Sequence, residues 1–462
     1  MSWQEIVEKY DLDVSIVNFS ELFGRIDAEY YKPEYLETER IIFNSKELVR
    51  LEKIIHPNEF IRVYQHKGLR LLLAQNVRDN FIDFSNESFV NPNLKEKISR
   101  NKLNYNDVLM TRSGANFGQT APYKESTETY ACADVLVLRS NNILGGYIST
   151  FLNTTYGKRL VSRGCYGLAQ PHISPSYLHK INIPKPSRNF EIIIDELVNE
   201  SVLNNEKAIG FCSQAEALLL SELGLSDYTP NEANISIRDL FECLQDDRFD
   251  AEYWMPKYDE MQRRVAKVPQ SKLGQLVNHK KGVEVGSESY QEEGESFIRV
   301  SDFSIFGIES VEKKISSELY ENLKKNYQPK KGEVLFTKDG TIGLSYALDE
   351  DVKGVLSGAF LRLQPKTNIN IHYLALILNS LYCKYQIERM SGGAIIAHLK
   401  PESAMQINIP ILSPDRQDEL GNMIIQSLQK RNEAKHLLEK AKRAVEIFIE
   451  QDEEKALEYL AS

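Results

Sequence analysis

Arg25-Ile-Asp-Ala-Glu-Tyr-Tyr-Lys-Pro33 recurs as Arg248-Phe-Asp-Ala-Glu-Tyr-Trp-Met-Pro256, 223 residues later, and Tyr35 is matched by Tyr258. An echo at fixed period is the signature of a duplicated fold, and it governs every local reading that follows. Farther along, the separation becomes 226 residues and holds without a gap. Residues 147–187 and 373–413 share 14 identities in 41 positions, where average residue usage gives about two or three by chance. The shared positions include Asn153/Asn379, Tyr156/Tyr382, Arg163/Arg389, Gly167/Gly393 and His172/His398, and Ile181-Asn-Ile-Pro184 returns whole as Ile407-Asn-Ile-Pro410. The same offset lays Tyr105-Asn-Asp-Val-Leu-Met-Thr-Arg-Ser-Gly114 over Lys331-Gly-Glu-Val-Leu-Phe-Thr-Lys-Asp-Gly340, with Val108, Leu109, Thr111 and Gly114 kept. It also lays Leu73-Ala-Gln-Asn-Val77 over Arg299-Val-Ser-Asp-Phe303. Each half is therefore one fold of roughly 220 residues, and the duplication predicts pseudo-two-fold symmetry.

Within each half the pattern is mixed, so the fold class is α+β. Short apolar runs such as Asp107-Val-Leu-Met-Thr111, Val135-Leu-Val-Leu138 and Glu333-Val-Leu-Phe-Thr337 read as strands. Residues 147–161 and 373–387 read as helices, with Leu152/Leu378 and Tyr156/Tyr382 on one face. Each half then ends in a long helix. Ser201, Ala208 and Ala215 lie seven apart and match Ser427, Ala434 and Ala441. Ile194, Leu197, Phe211 and Leu218 complete the first stripe, and Leu420, Ile424, Leu438, Val445 and Phe448 complete the second. This is a heptad seam, broken where Asn204 and Arg431 fall on it, and its small residues allow close helix approach. About thirty-two residues give a rod of roughly 50 Å. The expected arrangement is an antiparallel pair; two amphipathic helices each packed on its own domain is the alternative. Gly224 and Pro230 are stop signals for the first helix.

Composition narrows the class. A chain of 462 residues suits two or three domains, and 42% hydrophobic with 10% aromatic residues is ordinary for a globular protein. No apolar run approaches the length of a membrane span. Met1-Ser2-Trp3-Gln4-Glu5 lacks a basic region leading into an apolar core, so no secretory signal is expected. Cys132, Cys165, Cys212, Cys243 and Cys383 are scattered and never spaced as a metal-binding pair, which suits reduced thiols in a cytoplasm. The net charge of −10 argues against non-specific coating of nucleic acid. It leaves room for a reader with local basic patches, for which Arg62/His66/Lys67/Arg70 and Lys313/Lys314/Lys324/Lys325/Lys330/Lys331 are candidates beside the plain reading of solvated surface.

Catalytic signatures are missing. There is no phosphate-binding loop of the GxxxxGK[ST] type, no dinucleotide fingerprint around Gly114 or Gly340, no amino-methyltransferase [DNS]PP[YF] string, no nucleophile elbow and no HExxH helix, and the eight histidines avoid metal spacings. Pro414-Asp415 with Glu433-Ala-Lys435 has the residue types of a metal-dependent nuclease, but Glu433 and Lys435 fall on the predicted long helix, where surface charge is the simpler account. More telling are the duplicated Thr-Arg-Ser-Gly and Thr-Lys-Asp-Gly loops. Each ends a strand with a hydroxyl, a cation, a short polar residue and a glycine, a set able to hold a phosphate or reach a base edge. Their tips diverge (Ser113 against Asp339, Asn116 against Ile342), as two readers of different sequences would, although drift gives the same picture. His172 and His398 are one position in two copies, open to a structural bond or to DNA contact.

Taken together, these residues resemble the specificity (S) subunits of type I restriction–modification systems. The likeness is carried by the two Arg-x-Asp-Ala-Glu-Tyr openings, the Val-Leu-[Met/Phe]-Thr-x-x-Gly strand-loops, and Gly167-Leu-Ala-Gln-Pro-His-Ile173 leading to Ile-Asn-Ile-Pro. The second copy departs, with Ala397-His-Leu399 for Pro-His-Ile and Ile411-Leu412 for Lys-Pro. The resemblance implies two target-recognition domains (1–190 and 224–412) separated by two long helices (191–223 and 413–458) that form an antiparallel coiled coil. Each domain reads one part of a bipartite DNA target, and the helices set its spacing and dock DNA adenine methyltransferase (modification) subunits. It implies no catalysis and no cofactor in this chain; S-adenosylmethionine, ATP and Mg belong to partners, among them a motor-nuclease subunit where one exists. Implied DNA-proximal residues are Thr111, Arg112, Ser113, Asn116, Gln170 and His172, and Thr337, Lys338, Asp339, Thr341, His398 and Lys400. Gln75, Asn76, Arg78, Arg299 and Ser301 join them from divergent segments. Implied seam and partner residues are Ile194, Leu197, Ala208, Phe211, Ala215 and Leu218, with Leu420, Ile424, Ala434, Leu438, Ala441 and Val445.

Three rivals remain open at this level: the same subunit in a methylation-only phage-defence system, a stand-alone DNA-modifying enzyme, and an adaptor that binds only proteins.

Overall fold

The computed structural model describes residues 17, 22 and 25–462, apart from 45–46, 85, 115, 168–170, 231–232, 234, 310 and 392–397. The chain divides into two compact units: Met1–Glu206 with Arg431–Ser462, and Lys207–Lys430. Both long helices are shared between the units, so the division differs from one that treats the helices as separate segments.

In the first unit a four-stranded antiparallel sheet carries the design. Its strands are β1 (Lys53–Ile55), β2 (Val108–Thr111), β3 (Thr120–Pro122) and β4 (Val135–Arg139), in the order β1-β4-β2-β3. Every residue of β2 is buried, which explains why it reads as an unbroken apolar run rather than an alternation. Helix α1 (Gly145–Asn153) is buried along its whole length, and α2 (Thr155–Arg163) follows it after Thr154, whose side chain accepts from the Gly157 amide. The Tyr147 hydroxyl donates to the Pro184 carbonyl at 2.7 Å, tying α1 to the Ile-Asn-Ile-Pro strand.

The second unit repeats this plan. Strands β5 (Val277–Lys281), β6 (Val334–Thr337), β7 (Ser345–Ala347) and β8 (Phe360–Pro365) pair antiparallel in the order β5-β8-β6-β7. The Tyr373 hydroxyl donates to Pro410 at 2.8 Å, the counterpart of the Tyr147 bond. The acidic residue before each central strand takes a bidentate arginine: Asp107 with Arg139 at 2.6 and 2.7 Å, and Glu333 with Arg362 at 2.7 and 2.7 Å. Burial alone would push the Glu333 carboxyl up, but Arg362 and Gln364 hold it below its ordinary value.

The opening motif is also built twice. Arg25 grips Asp27 through two bonds of 2.7 and 2.8 Å, and the Tyr30 ring has the guanidinium groups of Arg25 and Arg163 over it at 4.8 and 4.3 Å. Arg248, Asp250, Tyr253 and Arg389 reproduce the arrangement, with ring distances of 4.4 and 4.3 Å. The quadrupole of a tyrosine face attracts cations, so the motif staples the chain entry to the helix bearing Arg163 or Arg389.

Helices α3 (Arg188–Glu222) and α4 (Pro414–Glu450) are 35 and 37 residues long, about 50–55 Å each. In the first unit the Ser201 hydroxyl donates to the Ala434 carbonyl at 2.9 Å; in the second, Ser427 donates to Ala208 at 2.7 Å. The 226-residue offset exchanges the two bonds. In that antiparallel register Ile194 falls opposite Ala441 in one core, and Leu420 opposite Ala215 in the other, large against small. The expected seam residues Ile194, Ala208, Ala215, Leu420, Ala434, Leu438, Ala441 and Val445 are buried. Leu197, Phe211, Leu218 and Ile424 are only half-buried, and Val198, Leu219 and Leu223 take the inward positions. The outer turns pack into the unit cores, where a period of 3.6 rather than 3.5 sets the phase. Both expected arrangements thus coexist: pairing through small residues, and packing on the domain. The first helix stops at Gly224, whose φ of +69° is left-handed. The second stops before residue 458, because Asp452 is extended and caps a new helix, Glu453–Ala461, by accepting from the Lys455 amide.

Among the described residues no helix is long and apolar enough to cross a membrane, and no group of three or more His, Cys, Asp and Glu could hold a metal ion.

A leucine at Ala434 would force a side chain into the close approach. Ala434→Leu is expected to cost about 1–3 kcal/mol, and Lys435→Leu, on the exposed face, close to nothing. Urea unfolding checks both, and an unchanged midpoint for the first would refute a tight seam.

Candidate nucleic-acid interface

Strand β2 ends at Thr111, and β6 at Thr337, each buried on its sheet. A tight loop follows, and Gly114 (φ +88°) and Gly340 (φ +71°) occupy the left-handed region where a side chain is strained. Past the strand end the next residue is still anchored on both backbone sides. The Arg112 amide donates to Asp134 O and its carbonyl accepts from the Ile173 amide, at 2.8 and 3.2 Å. Lys338 does the same with Ala359 and Leu399, at 2.8 and 2.8 Å. The third loop residue forms an isolated antiparallel bridge with the histidine segment: Ser113 with His172, Asp339 with His398. Two motifs about sixty residues apart in sequence therefore meet through the same backbone pairing in both units, although Ser113 in the first and Lys338 in the second are buried.

Thr111, Arg112, Ser113 and His172 are thus brought together, as are Thr337, Lys338, Asp339 and His398. Asn116 sits half-buried in the first loop, and Thr341 is exposed in the second. Lys400 is exposed at the N-cap of the short helix Pro401–Ala404. Gln170, with Ala397, lies outside the described residues.

The divergent segments are a different matter. Gln75 is exposed and Arg78 half-buried, but Asn76 is buried with both ends of its amide engaged by backbone: Oδ1 accepts from the Leu73 amide and Nδ2 donates to Asp83 O. It leaves the set of contact residues. Its counterpart Asp302 likewise accepts from the Arg299 amide at 2.9 Å. Arg299 is drawn to Asp302 and Glu312 at 3.3 Å each, and Ser301 donates to Asp302, so this stretch is a turn that holds itself. The nuclease-like set also dissolves, since Asp415, Glu433 and Lys435 lie on the one helix α4, more than four turns apart from first to last.

Charge in the two candidate basic patches is partly cancelled. Arg62 pairs with Asp134 at 3.1 Å, Arg70 with Glu87 at 3.1 Å, Lys324 with Glu321 at 2.5 Å and Lys330 with Asp351 at 2.9 Å, while His66, Lys67, Lys325 and Lys331 remain exposed. Two residues that sequence reasoning missed shape the first loop. Asp134 accepts from the Ser113 hydroxyl at 3.4 Å. His56 Nε2 lies 3.1 Å from Arg112 Nη1 and 3.2 Å from Ala133 O. The two contacts make opposite demands on Nε2, since a guanidinium only donates and a carbonyl only accepts. Burial first, then the Arg112 charge, hold the His56 ring below its ordinary value, in keeping with a neutral ring. No spacing in the sequence links His56 to Arg112; only the sheet brings them together.

Residues 267–440 match the family described as the type I restriction modification DNA specificity domain. The matched stretch spans β5 to β8, the 337–340 loop and His398, so the second constellation lies wholly inside it, and the first is its internal repeat. Among solved structures, the S subunit of a type I restriction–modification system from M. genitalium is 14% identical, covering 88% of this chain and 96% of that one, with a TM-score of 0.41. The HsdS subunit from Thermoanaerobacter tengcongensis is 13% identical over 88% and 97%, at 0.28. The type IIG restriction endonuclease BpuSI is 12% identical over 48% and 38%, at 0.29. A comparison with curated proteins found no match.

The depressed His56 gives a pH signature. The folded chain favours the neutral ring, so the unfolded chain takes up more protons as pH falls through about 6.5. Stability from this residue is therefore full above that range and lost below it. His56→Gln should flatten the fall of the thermal midpoint between about pH 7.5 and 5.5. Identical slopes for wild type and variant would refute the assignment.

Proposed function

We propose that the chain is the DNA-reading specificity subunit of a type I restriction–modification complex. Its two units read the two parts of a bipartite target through the 111–114 and 337–340 loops with His172 and His398. The observation that carries the proposal is the duplicated bridge between loop and histidine segment, which presents the same backbone frame with different side chains. A shared frame with divergent tips is what recognition of two different half-sites needs, since phosphate contacts position a protein and base contacts specify the sequence. Helices α3 and α4 set the separation of the half-sites and dock DNA adenine methyltransferase subunits. Catalysis resides in those partners, with S-adenosylmethionine in the methyltransferase, and ATP and Mg in a motor-nuclease subunit where one is present.

Arg112 is the cation of the first loop. Arg112→Ala should weaken binding of the full-length chain to duplex DNA and reduce the slope of log affinity against log salt by about one. Fluorescence anisotropy over a salt series checks this, and an unaltered slope places Arg112 away from phosphate. Purified chain that methylates DNA by itself when given S-adenosylmethionine would overturn the non-catalytic reading.

Removing seven residues from both helices, two turns in phase with the seam, should shorten the preferred spacer while leaving both half-site sequences intact. Mapping of methylated sites in cells carrying the shortened chain and its methyltransferase reads both quantities. Changed half-sites at an unchanged spacing would refute the ruler.

A further inference from the structure

The two constellations share a frame and differ in charge. In the first, Arg112 forms no ion pair among the described residues; its guanidinium faces the His56 ring, and the adjacent carboxylate, Asp134, is engaged by Arg62 and Ser113. In the second, Asp339 stands where the first copy has Ser113. One oxygen of its carboxylate accepts from Lys338 Nζ and the other from His398 Nδ1. The Lys338 side chain is 4% exposed and that of Asp339 28%. The cation that could have met a phosphate is covered and neutralised, and an oriented carboxylate faces outward instead.

We propose that Asp339 determines the sequence specificity of the second reader by accepting a hydrogen bond from a base amino group, cytosine N4 in the major groove. This rests on the DNA-reading function proposed above. A carboxylate has about four lone-pair sites. Lys338 and His398 take one on each oxygen, and the remainder can only accept. They are repelled by phosphate oxygens, by guanine O6 and N7 and by thymine O4, and they match an amino donor, for which cytosine N4 is the usual acidic-residue partner. Lys338 and His398 act as positioning residues. A carboxylate already fixed by two donors gives up little rotamer freedom when a base arrives. The first reader differs at the same place: Ser113 is buried with its hydroxyl donated to Asp134, beside a cation that no carboxylate pairs.

The test is selection of bound sequences from a random duplex pool by the full-length chain, comparing wild type with Asp339→Asn and Asp339→Ser. The wild type should yield a two-part consensus with a fixed cytosine in one part. Asn, which pairs with adenine N6 and N7, should move that position to adenine, and Ser should relax it, each by about tenfold or more in relative enrichment. The other part should stay as it was. Asp339→Ser also frees Lys338, so its salt slope should steepen by about one phosphate. If either folded variant selects the wild-type sequence unchanged, Asp339 does not read a base. Asn preserves the shape of Asp, so the test stands even if the Ser variant fails to fold. A wild-type chain that selects no sequence would instead overturn DNA reading itself, a result separable from the first because it concerns no variant.

Discussion

A serine hydroxyl can reach a main-chain carbonyl on a neighbouring helix only where nothing larger than a methyl group stands between the backbones. Ser201 on Ala434 and Ser427 on Ala208 impose that condition, once in each unit. The bonds are local, but they fix the register of α3 against α4, and the register decides which large residue meets which small one at the ends. Ile194 faces Ala441 and Leu420 faces Ala215, so the pairing and the unit cores share residues. A slip of one turn would set Ile194 against a different partner and leave a void or a clash in a close-packed interior. The constraint on the helices is thereby a constraint on the domains.

The same economy appears at the interface. The same backbone hydrogen bonds join loop to histidine segment in both copies, and the second adds a side-chain bond from His398 to Asp339, so the frame itself does not depend on the residue at the tip. Arg112 and Lys338 use identical main-chain anchors, yet one side chain reaches His56 and the other lies under Asp339. Specificity can drift in such a frame without disturbing stability, because the tips contribute little to either core. The net charge of −10 is compatible with DNA binding for the same reason. Arg62, Arg70, Lys324 and Lys330 of the candidate basic patches already hold carboxylates, which weakens non-specific attraction.

Much of this was legible in the sequence, and the limits are physical. Duplication exposed the repeated strands, loops and histidines, since equivalent residues keep one offset through β2 and β6 and on to His172 and His398, but not that loop and histidine segment pair, which only the folded sheet reveals. The heptad of Ser201, Ala208 and Ala215 gave the seam, because small residues recurring at seven line one face of a helix and let a second helix come close. The flanks were misphased by one residue, Leu197 for Val198 and Leu218 for Leu219, since heptad counting assumes a partner helix throughout, whereas the outer turns face a globular core. The break at Asp452 was missed because Asp in a charged stretch reads equally as helix surface and as N-cap. Asn76 was misjudged because an amide that caps its own turn and an amide that reads a base look the same in one dimension. His56 and Asp134 were invisible, as they reach the loop only through strand pairing.

The asymmetry of the two tips also bears on how a duplicated chain would serve the two-part target proposed for it. Two copies of one frame must share backbone geometry, so their readings can differ only through side chains that the frame does not need. Position 113 and its counterpart 339 meet that condition, since each is held by its bridge and neither contributes a hydrophobic contact to the cores. Exchanging serine for aspartate there changes the local field from neutral beside a cation to an oriented acceptor over a buried one. Such a change alters which groups the loop attracts while leaving every main-chain bond intact. Side-chain chemistry and fold are therefore separable at these positions, and one can change without disturbing the other.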